Sequence, residues 1–524
     1  MRKRRTFLYL APIGFLFFLV SCTNALNSEQ PNILFVYADD HTSQAWGVYG
    51  GILEEYVVNE NIKRLVQNGV LLNNSFCTNS ICRPSRASLL TGKYGQMNGV
   101  YTLEEGLHPD TLNVAKLFQD GGYETAIFGK WFLHYEPSGF DHYMVMPWKG
   151  TYRDPRFKTP ENWEDGEKGG VQYSGYSTDL ITDFSIEWLK NRDSSRPFLL
   201  FTQFCANHEP FFYPERYKDL YKDDELPYPE TLMENGSEET GKMHDGWPLE
   251  ILGERYVHDS LGFYPGEGDF SLSGLSHEEA RKKIYQKFVK DFLRCSAAND
   301  ENLGKMIDYL EESGQIDNTI IIFTTDQGCF LGEHGYFDKR FIYEESLRIP
   351  FVISFPADLP SGERLDDMIL DIDIPATLLD LAGLEIPKDM QGRSFRDNLK
   401  GNTPDDWRDA MYYRYWINEP ERPSHLGIRD ERFKLVFFYG QSLYAEQRDS
   451  MPYGPGWEFY DLHKDPKEKR NAIHDPVYAQ LIDSLKLELV RLKTQMKDDQ
   501  EKNPVIRKIL EEELPGLARQ DRGK

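Results

Sequence analysis

The sequence lacks a surplus of positive charge. Its 524 residues include 60 lysines and arginines against 85 aspartates and glutamates, which gives a formal net charge of −25 at pH 7. Surfaces that bind nucleic acid are basic, so this composition argues against nucleic acid as a partner. An anionic ligand would need local cationic side chains to overcome the overall field.

Cysteine is also scarce. The six cysteines show neither a paired spacing nor a Cys-x-x-Cys motif, which argues against a disulfide framework and a zinc knuckle. Four of them are expected to be buried free thiols. These four are Cys77, Cys205, Cys295 and Cys329.

Long apolar segments are absent after residue 22, so no membrane-spanning helix is predicted there. Residues 1–22 have the form of an export signal, with a basic start, an apolar stretch from Leu8 to Val20 and small residues after it. The ending Leu19-Val20-Ser21-Cys22 resembles a bacterial lipobox. This resemblance implies lipidation of Cys22 and a membrane-anchored lipoprotein, periplasmic or on the outer membrane. An ordinary signal peptide with a chance cysteine is the alternative, and either reading predicts export.

Four apolar runs predict buried strands, and each is followed by polar residues. The runs and the residues after them are Asn32–Ala38 with Asp39-Asp40, Tyr123–Phe128 with Gly129-Lys130, Pro197–Gln203 with Asn207-His208, and Thr319–Thr325 with Asp326-Gln327. Helical patterns alternate with these runs, which predicts an α/β fold with a largely parallel sheet covered by helices on both faces. Ligands of such folds bind beyond the carboxyl ends of the strands.

The chain divides into further regions by composition. Residues 23–404 are predicted to form the main α/β domain, with residues 215–275 as a long surface insertion and a candidate rim for a substrate. Short alternating runs over residues 405–475 predict a smaller C-terminal subdomain with an antiparallel sheet. Residues 476–524 predict a charged helical tail, whose charge is most simply that of a solvated face.

The stretch Ser80-Ile-Cys-Arg-Pro-Ser-Arg-Ala-Ser-Leu-Leu-Thr-Gly92 predicts a short helix. Pro84 suits its first turn and Gly92 its end, so Cys82 is expected at the helix N-terminus, where the dipole and free N–H groups favour an anion. Arg83 and Arg86 add positive charge. Taken alone, this pattern fits a reactive thiolate, the precursor of a modified residue, or a buried cysteine near a cap.

The wider sequence resembles the formylglycine-dependent (type I) sulfatases, which have an alkaline-phosphatase-like fold. The motifs that carry the resemblance are Pro31-Asn32-Ile33, Asp39-Asp40-His41, Cys82-Arg83-Pro84-Ser85-Arg86, Leu90-Thr91-Gly92, Gly129-Lys130-Trp131, Asn207-His208, Thr325-Asp326-Gln327-Gly328, Gly332-Glu333-His334-Gly335, Lys339-Arg340 and Glu345-Ser346-Leu347-Arg348-Ile349-Pro350. They run in order along most of the chain.

The resemblance implies that Cys82 is oxidised to formylglycine by a formylglycine-generating enzyme or an anaerobic sulfatase-maturating enzyme. One hydroxyl of the hydrated aldehyde attacks sulfur, and the other expels sulfate by regenerating the aldehyde. A single hydroxyl would be left as a stable sulfate ester, so two hydroxyls on one carbon allow turnover.

Four oxygen-bearing side chains at two strand ends, Asp39, Asp40, Asp326 and Gln327, suit a hard cation. An isolated Asp-Asp pair would more simply be a cap or a turn. The resemblance implies calcium, with magnesium as the alternative, and an oxygen of the modified Cys82 as a further ligand. Such a cation would acidify the attacking hydroxyl and neutralise sulfate oxygens.

Three cationic residues, Arg86, Lys130 and Lys339, match family positions that hold the modified residue and the sulfate. His208 matches a position that contacts sulfate and is a candidate acid for the departing oxygen.

One position departs from the family pattern. Phe132 replaces the histidine that usually follows Lys-Trp. In an extended segment His134 would share a face with Lys130 and Phe132, about 7 Å beyond Phe132. The hypothesis is that His134 contributes in place of the missing imidazole or binds substrate; the alternative is that it only lines the site and turnover is slower.

Residues 136–141, 338–348 and 424–429 resemble the branch that acts on sulfated amino sugars, including N-acetylglucosamine-6-sulfatases of glycosaminoglycan degradation. On this resemblance His334, His425 and Arg429 are predicted sugar contacts. Two other functions stay open at this point. One is a phosphodiester or phosphonate monoester hydrolase of the same superfamily, and the other is a non-catalytic surface lipoprotein that binds glycan.

Overall fold

The computed structural model describes residues 30–166, 168–234, 248–260, 262–266, 270–419, 422–447, 449, 455–498, 501–514 and 517. The predicted signal segment and the lipidation site Cys22 lie outside these residues. Its strands are β1 (Asn32–Ala38), β2 (Val70–Leu72), β3 (Ser75–Phe76), β4 (Glu124–Lys130), β5 (His142–Met146), β6 (Arg156–Phe157), β7 (Val171–Gln172), β8 (Phe198–Gln203), β9 (Thr319–Thr325), β10 (Phe330–Leu331), β11 (Phe337–Asp338), β12 (Phe351–Ser354), β13 (Glu363–Leu365), β14 (Ile369–Leu370), β15 (Ala410–Tyr415), β16 (His425–Asp430), β17 (Phe433–Phe438) and β18 (Gly456–Asp461).

The helices alternate with these strands over most of the chain. They are α1 (Glu60–Gln67), α2 (Cys82–Thr91), α3 (Gly95–Asn98), α4 (Val114–Asp120), α5 (Ser177–Asn191), α6 (Leu249–Val257), α7 (His277–Glu312), α8 (Glu344–Leu347), α9 (Asp373–Leu381), α10 (Arg396–Leu399), α11 (Ala479–Gln495) and α12 (Pro504–Glu513). Among the described residues, no helix combines the length and apolar character that crossing a bilayer requires.

The large sheet has eight strands in the order β13-β2-β12-β9-β1-β8-β4-β5. Only β12 runs antiparallel to both of its neighbours; the other recorded pairings in this sheet are parallel. The prediction of a mainly parallel sheet is therefore confirmed. Four consecutive strands of this sheet, β9, β1, β8 and β4, are the four that the apolar runs predicted.

Both faces of this sheet are buried. Along β1, Leu34 and Val36 point into a core that includes α1, α5, α6 and α7, whereas Ile33 and Phe35 point into a core with α2, α4, α9 and α10. Successive strand residues face opposite sides, so a strand covered on both sides reads as one continuous apolar run.

Strand β4 is longer than predicted, because it continues through Gly129 and Lys130. Gly129 has φ of 106°, and a Cβ atom there would lie 1.9 Å from the Gln203 carbonyl oxygen. Glycine is thus required where β4 approaches β8 closely, one residue before Lys130.

A separate antiparallel sheet, β15-β16-β17-β18, forms the core of the C-terminal region. This confirms the predicted small antiparallel sheet. Helix α11 packs against β15, β16 and β17, and Leu489 in it is fully buried.

The charges of the tail differ from the prediction of a solvated face. Arg491 and Lys508 are exposed, but Arg414 of β15 makes buried ion pairs with Asp498 at 2.7 Å and with Glu501 at 2.6 Å. Asp498 also pairs with Lys493. A sequence pattern shows which residues are charged but not the partners that allow their burial. Here the partners of Arg414 lie 84 and 87 residues away in the chain.

The predicted insertion also contributes to the core. Leu226, Leu232 and Leu249 are buried in the same cluster as α7, and α6 packs on α7. The described part of residues 215–275 is therefore not only a surface excursion.

Candidate active site

Four strand ends meet at one edge of the large sheet. Asp39 and Asp40 follow β1, Asp326 follows β9, Lys130 ends β4, and His208 lies five residues beyond β8. The backbone N–H of Asp40 donates to Asp326 Oδ1 at 3.0 Å, which joins two of these ends. The expectation that the polar residues after the strands lie together is thus met, as in other open α/β sheets.

Helix α2 brings Cys82 to this edge. It begins at Cys82 and ends before Gly92, which has a left-handed φ of 64°, as the sequence predicted. Arg86 lies one turn further on the same side of the helix, and its Nε donates to Asp326 Oδ2 at 3.2 Å. The Ser85 hydroxyl donates to the Asp326 backbone oxygen at 2.6 Å. Two residues of the Cys82 motif therefore bind the helix to the end of β9.

Contrary to the prediction from the sequence, Arg83 does not add its charge to this centre. Its Nε donates to the Phe132 carbonyl oxygen at 3.0 Å, and its guanidinium lies 4.4 Å from the centre of the Phe132 ring. It also contacts His134 and the Leu103 carbonyl. Arg83 thus fixes the segment after β4 rather than an anion beside Cys82.

The acidic cluster has the chemistry of a cation site. Carboxylate oxygens of Asp39, Asp40 and Asp326 lie within 4.8 Å of one another, and all three residues are buried. Asp39 Oδ1 and Gln327 Oε1 are buried without a hydrogen-bond partner, and the nearest cation to Asp39 Oδ1 in an ion pair is Arg86 Nη2 at 3.6 Å. Leaving such oxygens unsatisfied is costly, and a hard cation would accept their lone pairs. The four residues therefore fit the predicted metal.

Gln327 also links the cluster to Cys82. Its Nε2 donates to Asp40 and lies 3.4 Å from Cys82 Sγ. The cysteine side chain is thus next to the group of oxygens rather than separate from it. An oxygen on the Cys82 side chain would lie close to the same cation.

Cations balance the three carboxylates. Lys130 pairs with Asp39, Lys339 with Asp40, and Arg86 with Asp326 at 3.2 Å. With all six side chains ionised, their formal charges sum to zero. A divalent cation would bring this sum to about +2, which suits the binding of an anion.

The pKa values of two carboxyls are displaced in opposite directions. Burial opposes ionisation of Asp39, but the charges of Lys130, His208 and Arg86 hold its pKa well below the usual range. Burial and the negative charge of Asp39 raise the pKa of Asp326 well above its usual range. Like charges this close repel unless a cation lies between them.

Cys82 is not an activated thiol. Burial and the charge of Asp39 raise the pKa of its thiol, so the neutral form predominates despite the helix N-terminus. Of the three readings of the Cys82 pattern, the reactive thiolate is therefore the least favourable.

His208 presents one ring nitrogen to the site. Its Nδ1 lies 2.7 Å from the Glu209 carbonyl oxygen, so Nδ1 carries a proton and donates it. Nε2 lies 3.9 Å from Asp40 Oδ2. Burial and the charge of Lys339 lower the pKa of His208, although Asp40 opposes this shift.

The preceding residue, Asn207, holds this loop in place. Its amide donates to the Phe292 carbonyl at 2.8 Å and to the Ser296 hydroxyl at 2.7 Å, both in α7. The Asn207-His208 pair therefore combines an anchor on α7 with a ring directed at the centre.

The segment after β4 is not extended, which corrects the geometry assumed for His134. Phe132 and His134 both have left-handed backbone conformations, with φ of 56° and 65°. The Phe132 ring lies 5.0 Å from Lys130 Nζ, while His134 contacts Arg83 and lies 6.2 Å from the Trp148 ring. The Phe132 ring therefore makes a cation–π contact with the Lys130 ammonium, whereas His134 contacts Arg83.

Two of the predicted sugar contacts are core residues. His425 is fully buried among Phe341, Tyr413 and Phe438, and burial lowers its pKa to about 4. His334 is 1% exposed and pairs with Glu234 at 3.3 Å. Neither side chain is available to a sugar in this structure, because aromatic packing or an ion pair already surrounds it.

Arg429 also differs from its prediction. It is 5% exposed, pairs with Glu344 at 3.1 Å and lies 4.3 Å from the centre of the Phe76 ring. It borders a cavity of about 370 Å³. None of the residues around Cys82 lines that cavity. The order of the motifs along the chain did not show that Arg429 borders a different cavity.

Two groups near the centre had no predicted role. Asp338 and Arg340 flank Lys339, both with left-handed φ (79° and 94°), and Asp338 is bound by Arg340 at 3.0 Å and Arg422 at 2.8 Å. Their alternating charges in Asp-Lys-Arg were the available signal. The other group is the exposed pair Trp148 and Lys149, in a Pro-Trp-Lys-Gly turn that carries no motif of the family resemblance.

The fold and the site define a class of hydrolase, and comparison with known proteins identifies it. Residues 31–384 match the family model described as sulfatase, and residues 332–495 match that of the N-sulphoglucosamine sulphohydrolase C-terminal region. The chain belongs to the sulfatase family and is a sulfuric ester hydrolase.

Individual relatives agree with this assignment. The chain is 34% identical over 519 residues to an N-acetylglucosamine-6-O-sulfatase of Bacteroides thetaiotaomicron, covering 92% of this chain and 90% of the relative. A solved structure, described as a complex with its substrate D-glucosamine-2-N,6-O-disulfate, matches with a TM-score of 0.81 and 33% identity, covering 90% of this chain and 99% of the other.

A third comparison concerns the fold alone. The phosphonate monoester hydrolase from Silicibacter pomeroyi matches with a TM-score of 0.68 at 22% identity, covering 90% of this chain and 96% of the other.

Proposed function

We propose that this protein removes the 6-O-sulfate from a sulfated amino sugar of a glycosaminoglycan or related host glycan, using formylglycine made from Cys82 and a bound calcium ion. The observation that carries the proposal is the pair of buried oxygens without a hydrogen bond, Asp39 Oδ1 and Gln327 Oε1, in a charge-balanced cluster beside Cys82. The similarity to an N-acetylglucosamine-6-O-sulfatase supports the choice of sugar.

The chain's own side chains would hold the sulfate and its charge. Asp39, Asp40, Asp326 and Gln327 would bind the cation, which would supply Lewis acidity beside the sulfate oxygens. Lys130, Lys339 and Arg86 are already fixed by the carboxylates, so they need little reorganisation to stabilise negative charge that develops on the sulfate. Fixed charges of this kind favour the transition state over free substrate.

His208 would protonate the departing sugar oxygen. Because Nδ1 is bound to the Glu209 carbonyl, only a charged imidazolium can donate from Nε2. Asp40 and Asp39 favour that charged form, and burial and the lysines oppose it. The hydrated aldehyde derived from Cys82 would supply both the attacking hydroxyl and the group that releases sulfate.

Sulfate release from defined substrates tests the proposal. Protein matured in a host that makes formylglycine would be assayed on 6-sulfated N-acetylglucosamine, on sugars sulfated elsewhere, and on matched aryl sulfate and aryl phosphate esters, with Cys82→Ala as the control. We expect release from the 6-sulfated sugar by the matured protein only. Faster release of phosphate than of sulfate would favour a phosphoryl hydrolase. Glycan binding without any release, with formylglycine confirmed by peptide mass, would favour a binding protein and a disabling effect of Phe132.

We further propose that the protein is exported and anchored by a lipid on Cys22, on the basis of residues 1–22. Labelled fatty acid should enter the wild-type protein but not Cys22→Ser in a bacterial host. If the wild-type protein is exported without carrying the label, residues 1–22 are an ordinary signal peptide and Cys22 is not lipidated.

A further inference from the structure

A cavity of about 630 Å³ opens beside His208. Its wall includes the aromatic residues Tyr152, Phe212 and Phe263, and Phe263 is 59% exposed. The volume lies within the range of small-molecule sites, about 300–1,000 Å³. Apolar faces combined with a few polar groups are typical of such sites.

Two cations in this wall, Lys149 and Arg153, have no ion pair with any carboxylate of the described residues. Both are exposed, and the Arg153 guanidinium lies 3.9 Å from the centre of the Phe212 ring, which holds it at the cavity wall. Partial desolvation of the Lys149 ammonium and the charge of Lys339 lower its pKa, so Lys149 lies within the field of the catalytic cations. An anion would relieve this repulsion.

The carboxylates of the same wall are already occupied. Glu209 accepts two hydrogen bonds from Arg255 at 2.6 and 2.7 Å. Asp259 accepts from the backbone N–H groups of Phe263 at 2.7 Å and Tyr264 at 2.6 Å. In a chain of net charge −25, the wall therefore leaves two cations available to a ligand.

The direction of the leaving group connects this cavity to the reaction. If His208 protonates the departing oxygen, the body of the substrate lies on the His208 side of the centre. His208 itself lines the cavity, so a sugar attached beyond the sulfated one would extend along this wall.

We propose that the cavity is a second sugar subsite, which takes the neighbouring residue of the glycan and binds an anionic group on it, a carboxylate or a second sulfate, through Lys149 and Arg153. This inference rests on the proposed function and deepens it, because it makes the substrate an anionic oligosaccharide rather than a single sugar.

The test compares substrates that differ only in the second residue. These are 6-sulfated N-acetylglucosamine alone, and the same sugar linked to a neutral hexose, to a uronate, or to a sulfated hexose. The readout is kcat/KM of each disaccharide divided by that of the monosaccharide, which cancels losses common to all. The wild type is compared with Lys149→Ala and Arg153→Ala. A charge-matched control, Arg470→Ala with Lys508→Ala, changes residues that are 72% and 78% exposed and lie outside the cavity lining.

We expect the wild type and the control to prefer an anionic disaccharide over the neutral one. Each cavity variant should reduce that preference roughly three- to tenfold, as expected for one partly exposed charge contact. The preference should also weaken with added salt. The uronate and sulfated-hexose arms show which anion the subsite takes.

Several results would overturn the inference. These are equal kcat/KM for neutral and anionic disaccharides, or an anionic preference that both variants retain. A loss that is the same on the monosaccharide as on the disaccharides would place the two cations at the sulfated sugar instead. If no substrate releases sulfate, the proposed function fails; calorimetric binding of a 6-sulfated glucosamine–uronate disaccharide to wild type and variants then still tests the cavity.

Discussion

Replacing His208 by glutamine tests the role of the single side chain proposed to move a proton. Glutamine keeps a polar group near the Nε2 position but cannot transfer a proton. Among the described residues of the centre, Lys130 and Lys339 are each bound to a carboxylate. His208 has its Nε2 3.9 Å from Asp40 Oδ2 and is the remaining candidate donor.

The expected size of the effect depends on the leaving group. A positioned general acid contributes about 10²–10⁴-fold to the rate when the departing oxygen is a poor leaving group, as a sugar hydroxyl is. An aryl sulfate releases a far more acidic alcohol, which needs little protonation. We therefore expect His208→Gln to lower kcat about 10²–10⁴-fold on the sugar sulfate and less than about tenfold on the aryl sulfate.

The assay measures kcat and KM for both substrates with matured, calcium-loaded protein. His463→Gln is a matched control, since His463 is exposed and borders the separate cavity near Arg429. Thermal unfolding confirms that each variant folds. Equal losses on the sugar and the aryl substrate would refute the reasoning, because His208 would then bind the sulfate rather than protonate the leaving oxygen.

Three further predictions concern the metal, a buried ion network and pH. Calcium at about 100 times its Kd should stabilise the protein by about 2.7 kcal/mol in thermal or denaturant unfolding, and a chelator should remove this gain. The Asp40→Asn variant should gain little stability from calcium. An equal gain in the variant would contradict the assigned ligands. Arg414→Ala leaves Asp498 and Glu501 buried without their main partner and should cost about 3–5 kcal/mol, whereas a cost below about 1 kcal/mol in denaturant unfolding would mean that these pairs are solvated. Burial raises the pKa of Asp371 to about 7, so the folded state binds this proton more tightly than the unfolded state, and its contribution to stability is lost as pH rises from about 4 to 7. Asp371→Asn should therefore gain stability relative to the wild type between pH 5 and pH 8, and a pH-independent difference would exclude this titration.

Four strands of the large sheet and the residues closest to Cys82 could be predicted from local patterns in the sequence. Continuous apolar runs identify strands that are covered on both faces, and parallel strands bring their carboxyl ends to the same edge. The positions of Asp39, Asp326 and His208 follow from this rule. The placement of Cys82 at a helix start follows from local signals, Pro84 within the first turn and Gly92 at the end.

Which residues around the centre remain available to a ligand depends on contacts between distant parts of the chain. His425 and Arg429 lie on one strand of the C-terminal sheet, and whether they face a sugar or the core depends on aromatic and acidic partners far away in the chain. The conformation after β4 likewise depends on Arg83, whose contact with His134 spans 51 residues. Burial, ion pairing and left-handed backbone turns are set by long-range packing, so no local pattern of residue types contains them.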